Sequence, residues 1–208
     1  MNTIMMPRII SIEGNIGAGK TTLIQQIEDL HLPNVMVLRE PVDEWMKVQD
    51  STGKNILEHY YSDPKKYAFT FQTVAFHTRL ANITKAVQSG SQIIVCERSL
   101  QSDANIFAKM LFEDGTMDEI SYCAYESIYQ DGMNKYPLDA VIYLDVPPET
   151  CKERIIMRRR SGEESISLAY LSLCDKYHRV WLENTENRLE YPVVKYTNLT
   201  DLIAYLTV

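Results

Sequence analysis

The chain has 208 residues and carries 28 acidic against 21 basic side chains, a formal net charge of −7. That length suits a single domain with a substantial core, undivided by any Pro/Gly/Ser-rich linker, and the negative balance argues against a surface that wraps nucleic acid. Cys96, Cys123, Cys151 and Cys174 lack the C-x-x-C spacing of a zinc or redox pair, and there is no signal-type or membrane-length apolar run, so a cytoplasmic protein without a membrane partner is expected.

Residues 8–12 form an apolar β-type run that leads into Gly-Asn-Ile-Gly-Ala-Gly-Lys-Thr, a G-x-x-x-x-G-K-T phosphate-binding loop. Gly14, Gly17 and Gly19 permit the tight turns that point successive backbone N–H groups, and the N-terminus of the next helix, at phosphate oxygens. Lys20 is placed to reach β and γ phosphates, and the Thr21 hydroxyl is a natural Mg²⁺ ligand. The candidate loop therefore comprises Gly14, Asn15, Ile16, Gly17, Ala18, Gly19, Lys20, Thr21 and Thr22. A helix pattern over 21–30 completes the strand–loop–helix context; a Gly-rich turn that holds no ligand is the bland alternative.

A second strand, 35–39, delivers Glu40 to the carboxyl edge of the sheet, where open α/β folds bind ligands. A carboxylate there can serve as a base, or merely cap a helix. Short helices at 43–49 and 54–61 precede a long one that opens at Pro64 and stops near Ser89-Gly90. Phe69, Phe76, Leu80, Ile83 and Val87 recur at helical spacing as a core stripe, with Gln72, Ala75 and Arg79 on a second stripe about a quarter turn away.

Strand 92–96 brings Glu97-Arg98-Ser99 to the same edge. Glu97 can hold Mg²⁺ directly or through water, and Arg98 can steady Glu40 or an acceptor oxygen, unless the two form only a structural ion pair. Helices follow at 100–112 and 118–132, then a strand at 140–145 and a helix at 149–159. Its basic end, Arg154, Arg158, Arg159 and Arg160, suits neutralisation of a transferring phosphoryl group, or is a solvated helix terminus. Residues 158–166 crowd charge around a glycine and read as a mobile lid, followed by a helix at 167–188, a strand at 193–196 and a helix at 199–206. The alternation predicts a parallel α/β sheet.

Five segments agree in order, at 14–22, 40–45, 55–72, 97–107 and 154–171, and on them the chain resembles the deoxynucleoside kinase family, which contains deoxycytidine, deoxyguanosine and insect multisubstrate kinases. The resemblance implies a three-layer α/β P-loop kinase fold, with a central parallel sheet of about five strands flanked by helices and an Arg-rich lid. It also implies nucleotide salvage, with the γ-phosphate of ATP or another NTP passing, with Mg²⁺, to the 5′-hydroxyl of a 2′-deoxynucleoside. Glu40 would be the general base, oriented by Arg98, while Lys20, Arg154, Arg158 and Arg160 hold the donor and stabilise the transferring group. Tyr61 and Glu163 would grip the sugar 3′-hydroxyl. Trp45, Phe71 and Phe107 would form the slot for the base, lined by Leu57 and Ile16 and read by the amide of Gln72. The resemblance also implies a homodimer packed through helices, including the 66–88 helix.

Ala75, Arg79 and Asp103 match the deoxycytidine and deoxyguanosine members rather than the thymidine-accepting ones. An Arg79–Asp103 pair would offer an acceptor for an exocyclic amine with a fixed donor beside it, so deoxycytidine or a purine deoxynucleoside is expected over thymidine; an ion pair that only joins two helices is the alternative. Three rivals fit less well. A nucleoside monophosphate kinase would have to seat an acceptor phosphate against Glu40. A GTPase is disfavoured because Asp50-Ser-Thr-Gly53 follows no strand and Asn134-Lys135-Tyr-Pro137 breaks the guanine-reading pattern. A non-catalytic nucleotide-binding protein would have no use for Glu40, Arg98 and the lid arginines together.

Overall fold

The computed structural model describes residues 6–159, 163, 166–183 and 189–207. Among these residues five strands form one sheet: β1 (Arg8–Gly14), β2 (Val35–Leu38), β3 (Ile93–Glu97), β4 (Ala140–Leu144) and β5 (Val193–Lys195). Their order is β2-β3-β1-β4-β5 and every pairing is parallel, as the alternating pattern predicts. Strands buried on both faces have no solvated side to mark with polar residues, which is why β4 is buried at all five positions and reads as an unbroken apolar run.

The helices are α1 (Lys20–Asp29), α2 (Val42–Met46), α3 (Ile56–Ser62), α4 (Pro64–Gln88), α5 (100–113), α6 (Glu119–Met133), α7 (Pro148–Arg158), α8 (Leu168–Leu182) and α9 (Leu199–Thr207). None is long and apolar enough to cross a membrane. On one face of the sheet, Ile9, Ile94, Cys96, Val141 and Tyr143 pack with Phe76, Tyr125 and Trp181 from the helices. On the other, Ile10, Ile12, Val95 and Ile142 meet Leu23 and Ile27 of α1, Ile155 of α7 and Leu202 of α9. A smaller third cluster, built on Trp45, Tyr60, Phe71 and Leu111, lies among α2 to α5.

Both predicted stripes of α4 are realised. Phe76 and Ile83 are buried in the core, with Phe69, Leu80 and Val87 partly buried against it, whereas Gln72, Ala75 and Arg79 are buried on a different face. Pro64 occupies the first turn and the Asp63 carboxylate accepts the Lys66 N–H at 3.3 Å, which fixes where the helix begins.

Several elements differ from expectation, some for local reasons. α2 stops at Met46, and Gln49 forms an antiparallel bridge with Asn55. Asn55 and Glu58 then form a reciprocal capping box, so α3 starts at Ile56 rather than 54. In α5 the turns over Asp103–Ala108 widen into a π-helix, which apolar periodicity does not encode. α8 ends at Leu182; the rest of the expected 167–188 helix, residues 184–188, lies outside the described residues.

Candidate active site

Because β2, β3 and β1 are adjacent and parallel, their carboxyl ends bring Glu40, Glu97 and the phosphate loop to one edge of the sheet. A cavity of about 440 Å³ opens there. Ile16, Gly17, Gly19, Lys20, Thr21 and Thr22 border it on the loop side, and Glu40, Glu97 and Arg98 at the strand ends. Across from them stand Trp45, Leu57, Tyr61, Phe71 and Gln72, then Ala75, Arg79, Asp103 and Phe107; Arg154, Arg158 and Glu163 complete the wall.

The loop is held from behind. Gly17 and Gly19 have φ of +83° and +105°, and a Cβ on Gly17 would lie 2.6 Å from the Cys151 carbonyl oxygen of α7, so no larger residue fits without displacing that helix. Lys20 is buried, its ammonium donating to the carbonyls of Gly14 and Asn15 at 3.0 and 2.8 Å. Burial, then Arg98, draw its pKa down to about 8 against the pull of Glu40 and Glu97, so it remains a cation at neutral pH. Gly14, Asn15 and Ala18 do not border the cavity. The Asn15 side chain donates to the Leu171 carbonyl at 2.8 Å and accepts the Ile16 N–H, and the Ala18 carbonyl accepts Arg154 at 2.8 Å. These residues brace the loop against α7 and α8.

Thr21 donates its hydroxyl to Glu97 Oε1 at 2.6 Å, and the Glu40 N–H points at Glu97 Oε2 from 3.5 Å. A hydroxyl and a carboxylate converging beside a phosphate loop form the hard-oxygen donor set that Mg²⁺ prefers.

Glu40 is held by two arginines. Arg98 Nε lies 3.4 Å from Oε1, but the closer partner is Arg79, whose Nη2 donates to the same oxygen at 2.7 Å. The expectation that Arg79 pairs with Asp103 therefore captures only part of its environment. Its Nε lies 3.1 Å from Asp103 Oδ1 and 3.0 Å from Oδ2, and Nη1 donates to the Glu97 carbonyl at 3.0 Å. Burial alone would raise Glu40; Arg79, Arg98 and Lys20 outweigh it and hold the carboxyl at about 2. Asp103, buried more completely, is pushed up to about 6 despite Arg79.

The opposite wall is aromatic. Trp45 and Phe71 meet edge to face with centroids 5.3 Å apart, and the indole N–H donates to Thr78 at 2.9 Å, which fixes the plane of the ring. The Arg98 guanidinium sits 4.7 Å from the centroid of Phe107. Between these walls Gln72 Oε1 is buried with no hydrogen-bond partner among the described residues, and Asp103 Oδ2 is in ion-pair contact with Arg79 but makes no hydrogen bond among them; a planar ring bearing amino groups could donate to either.

Arg158 and Glu163 are together, but bound to each other: Nε and Nη2 of the arginine donate to the two carboxylate oxygens at 2.8 and 2.7 Å. Arg160 lies outside the described residues, as does most of the expected 158–166 lid. Four further residues border the cavity without having been singled out from sequence: Val42, Tyr60, Met157 and Tyr170. Val42 sits inside the 40–45 motif, and the Tyr60 and Tyr170 hydroxyls stand 3.5 Å apart. The adjacent Tyr60-Tyr61 pair was the available signal, since residues 100° apart on a helix can both face a concave site.

The family model for deoxynucleoside kinases matches residues 10–204. A probable deoxycytidine kinase of Fowlpox virus is 36% identical over 198 residues, covering 93% of this chain and 80% of that one. Deoxycytidine kinase 2 of Gallus gallus is 34% identical over 209 residues (90% and 78% covered), and deoxycytidine kinase of Homo sapiens 36% over 195 residues (83% and 74%).

Proposed function

The chain belongs to the deoxynucleoside kinase family and is a phosphotransferase, and from that premise we propose that it phosphorylates the 5′-hydroxyl of deoxycytidine or a purine deoxynucleoside in preference to thymidine. The observation that carries the reading is Glu40, an ionised carboxylate fixed by two buried arginines between the phosphate loop and the aromatic slot.

In this reading the loop amides and Lys20 hold the triphosphate of ATP or another NTP. Mg²⁺ would be held by Thr21 and Glu97 and would neutralise charge on the β- and γ-phosphate oxygens. Glu40 accepts the hydrogen bond of the 5′-hydroxyl and takes its proton. A carboxyl held at about 2 is a weak base, which suits a loose transition state in which the hydroxyl proton leaves late and orientation matters more than proton affinity. Tyr61 and Glu163 bind the sugar 3′-hydroxyl. A hydroxyl donated to Glu163 replaces half of the Arg158 fork and frees the arginine for the phosphoryl oxygens, so sugar binding and the closing of the charge clamp are one exchange. The base lies between Trp45, Phe71 and Phe107, its edge toward Gln72 and Asp103. Gln72 Oε1, which makes no hydrogen bond among the described residues, and Asp103 Oδ2, whose contact is the Arg79 ion pair alone, favour an exocyclic amine, while thymine presents a carbonyl and a methyl group there.

We further propose a cytoplasmic homodimer packed through α4 and α6. Ile120 and Ile128 of α6 leave 78% and 43% of their surface exposed on a helix packed against α4, and the four cysteines are all free thiols, as a reducing compartment would keep them. The test of function is Glu40→Gln, assayed with Mg-ATP and each of the four deoxynucleosides. Turnover should fall at least about a thousandfold while ATP binding persists, by the scale of a lost general base together with its orienting bond. Near-wild-type turnover removes Glu40 from the role, and a thymidine preference in the wild type overturns the specificity reading.

A further inference from the structure

Glu13 stands one residue ahead of the first glycine of the phosphate loop, is fully buried, and has no part in the chemistry above. Its Oε1 accepts the hydroxyls of Ser11 and Ser99, the latter at 2.8 Å, while Oε2 has no hydrogen-bond partner among the described residues. Burial pushes its pKa up, and the strongest influence in the other direction is the Arg98 guanidinium, ahead of the two serine hydroxyls and Lys20. An apolar residue of the same volume would avoid the desolvation altogether, so stability is a poor reason for a carboxylate here.

The geometry around Arg98 supplies a better one. Arg98 has φ +65°, a left-handed conformation that a long side chain keeps only when its surroundings enforce it. Its N–H is tied to the Ile12 carbonyl at 3.1 Å, directly before Glu13. The next residue, Ser99, caps α5 by accepting the Ser102 N–H at 3.1 Å, and gives its own hydroxyl proton to Glu13. The strained turn is thus gripped on both sides by β1, once through backbone and once through the Glu13 carboxylate. Beyond the turn, Arg98 keeps Nε 3.4 Å from Glu40 and leaves Nη1 buried without a partner among the described residues.

We propose that Glu13 is a positioning residue for phosphoryl transfer: through Ser99 and the charge of Arg98 it holds the left-handed turn that keeps the guanidinium aimed at Glu40. The inference rests on the reading of Glu40 and Arg98 given above. It differs from a purely structural role in what it does to the rate constants.

Glu13→Gln keeps the shape and the acceptor oxygen but removes the charge. It should lower kcat by roughly 10–100-fold, the usual cost of losing a group that orients a functional side chain, with KM for deoxycytidine and for Mg-ATP changed by less than about threefold. Its thermal midpoint should hold or rise, because a costly buried charge has gone. Ser99→Ala, which cuts the bridge and leaves the carboxylate, should give part of the same kcat loss. The double variant should be slower than either single one, since Glu13→Gln keeps the oxygen that Ser99 bonds and removes only the charge facing Arg98, whereas Ser99→Ala removes the bond. Glu13→Gln with kcat within about twofold of wild type, or with kcat and both affinities lost together, overturns the proposal. If Glu13→Gln does not fold, Ser99→Ala decides by the same split between kcat and KM. Glu40→Gln is measured alongside: turnover surviving there sinks the reading of Glu40 itself, whereas an inactive Glu40→Gln beside an unaffected Glu13→Gln refutes the role of Glu13 alone.

Discussion

Replacing Gly17 with alanine isolates the contact between the phosphate loop and α7. Gly17 and Gly90 share a φ of +83°, yet a Cβ on Gly90 meets nothing within 4 Å, while one on Gly17 would sit 2.6 Å from the Cys151 carbonyl oxygen and 3.1 Å from Ile155 Cγ1. Backbone strain of about 1–2 kcal/mol is common to both substitutions. The clash is not, because it falls on a helix carbonyl that cannot rotate away, and overpacking of that kind adds about 1–3 kcal/mol. The two variants should therefore differ by about 2 kcal/mol, and at about 2–4 °C per kcal/mol for a chain of this length, by roughly 4–8 °C in Tm. The function should separate them too. α7 carries Arg154, which holds the loop through Ala18, so Gly17→Ala should raise KM for Mg-ATP about tenfold, equivalent to about 1.4 kcal/mol of lost binding, and Gly90→Ala should not. Circular-dichroism melts and Mg-ATP titrations of both variants make the comparison. Equal midpoints together with equal KM values would refute the claim that the loop is packed onto α7 without room for a side chain.

Two further outcomes follow from the buried carboxylates. Burial pushes Asp103 up to about 6, so as the pH falls through that value it takes up a proton and, in the acceptor role proposed for it, stops accepting from an exocyclic amine. The kcat/KM ratio of deoxycytidine to thymidine should therefore fall, approaching about tenfold per pH unit below 6; a ratio flat from about pH 5 to 8 contradicts the acceptor role. Glu40 is depressed from its ordinary 4.5 to about 2, so its contribution to stability is fully present above 4.5 and is lost as the pH falls through 2. That contribution is about 3 kcal/mol, and the excess stability of wild type over Glu40→Gln in urea melts should shrink steadily from about pH 5 to pH 3. Asp103, raised rather than lowered, acts with the opposite sign between about 4 and 6, and its upward shift is smaller in Glu40→Gln because the Glu40 charge is one of its causes.

The parts of the fold that a single segment determines were legible in the sequence. Central strands read as apolar runs because they are buried on both faces, and the phosphate loop declares itself because glycines, a lysine and a threonine are each required at fixed offsets. The second stripe of α4 was legible for the same reason, as Gln72, Ala75 and Arg79 break the apolar face in register with one another. Arrangements that depend on two distant segments were not. Nothing in residues 79 and 40 taken separately says that their side chains meet at 2.7 Å, nor that Arg158 spends its fork on Glu163. The π-turns at Asp103–Ala108 were equally silent, since one widened turn shifts the hydrophobic period by less than a residue while turning Asp103 and Phe107 to the cavity.

The arginine at 79 makes the cavity one electrostatic unit rather than a base-reading half and a reacting half. A single buried guanidinium touches Asp103, Glu40 and the backbone of Glu97, whose carboxylate meets Thr21 of the loop. Removing one member of such a set changes the protonation of the others: without Arg79 both Glu40 and Asp103 lose a main stabilising charge, and each becomes easier to protonate. Substitutions at 40, 79 and 103 should therefore be strongly non-additive, with coupling of about 0.5–3 kcal/mol between members in contact. Changing the base preference through Arg79 alone disturbs Glu40, the base proposed above, whereas changing it through Asp103 and Arg79 together removes a charge of each sign and leaves Glu40 with Arg98. The pair, not either residue, is the unit by which this site can change its acceptor.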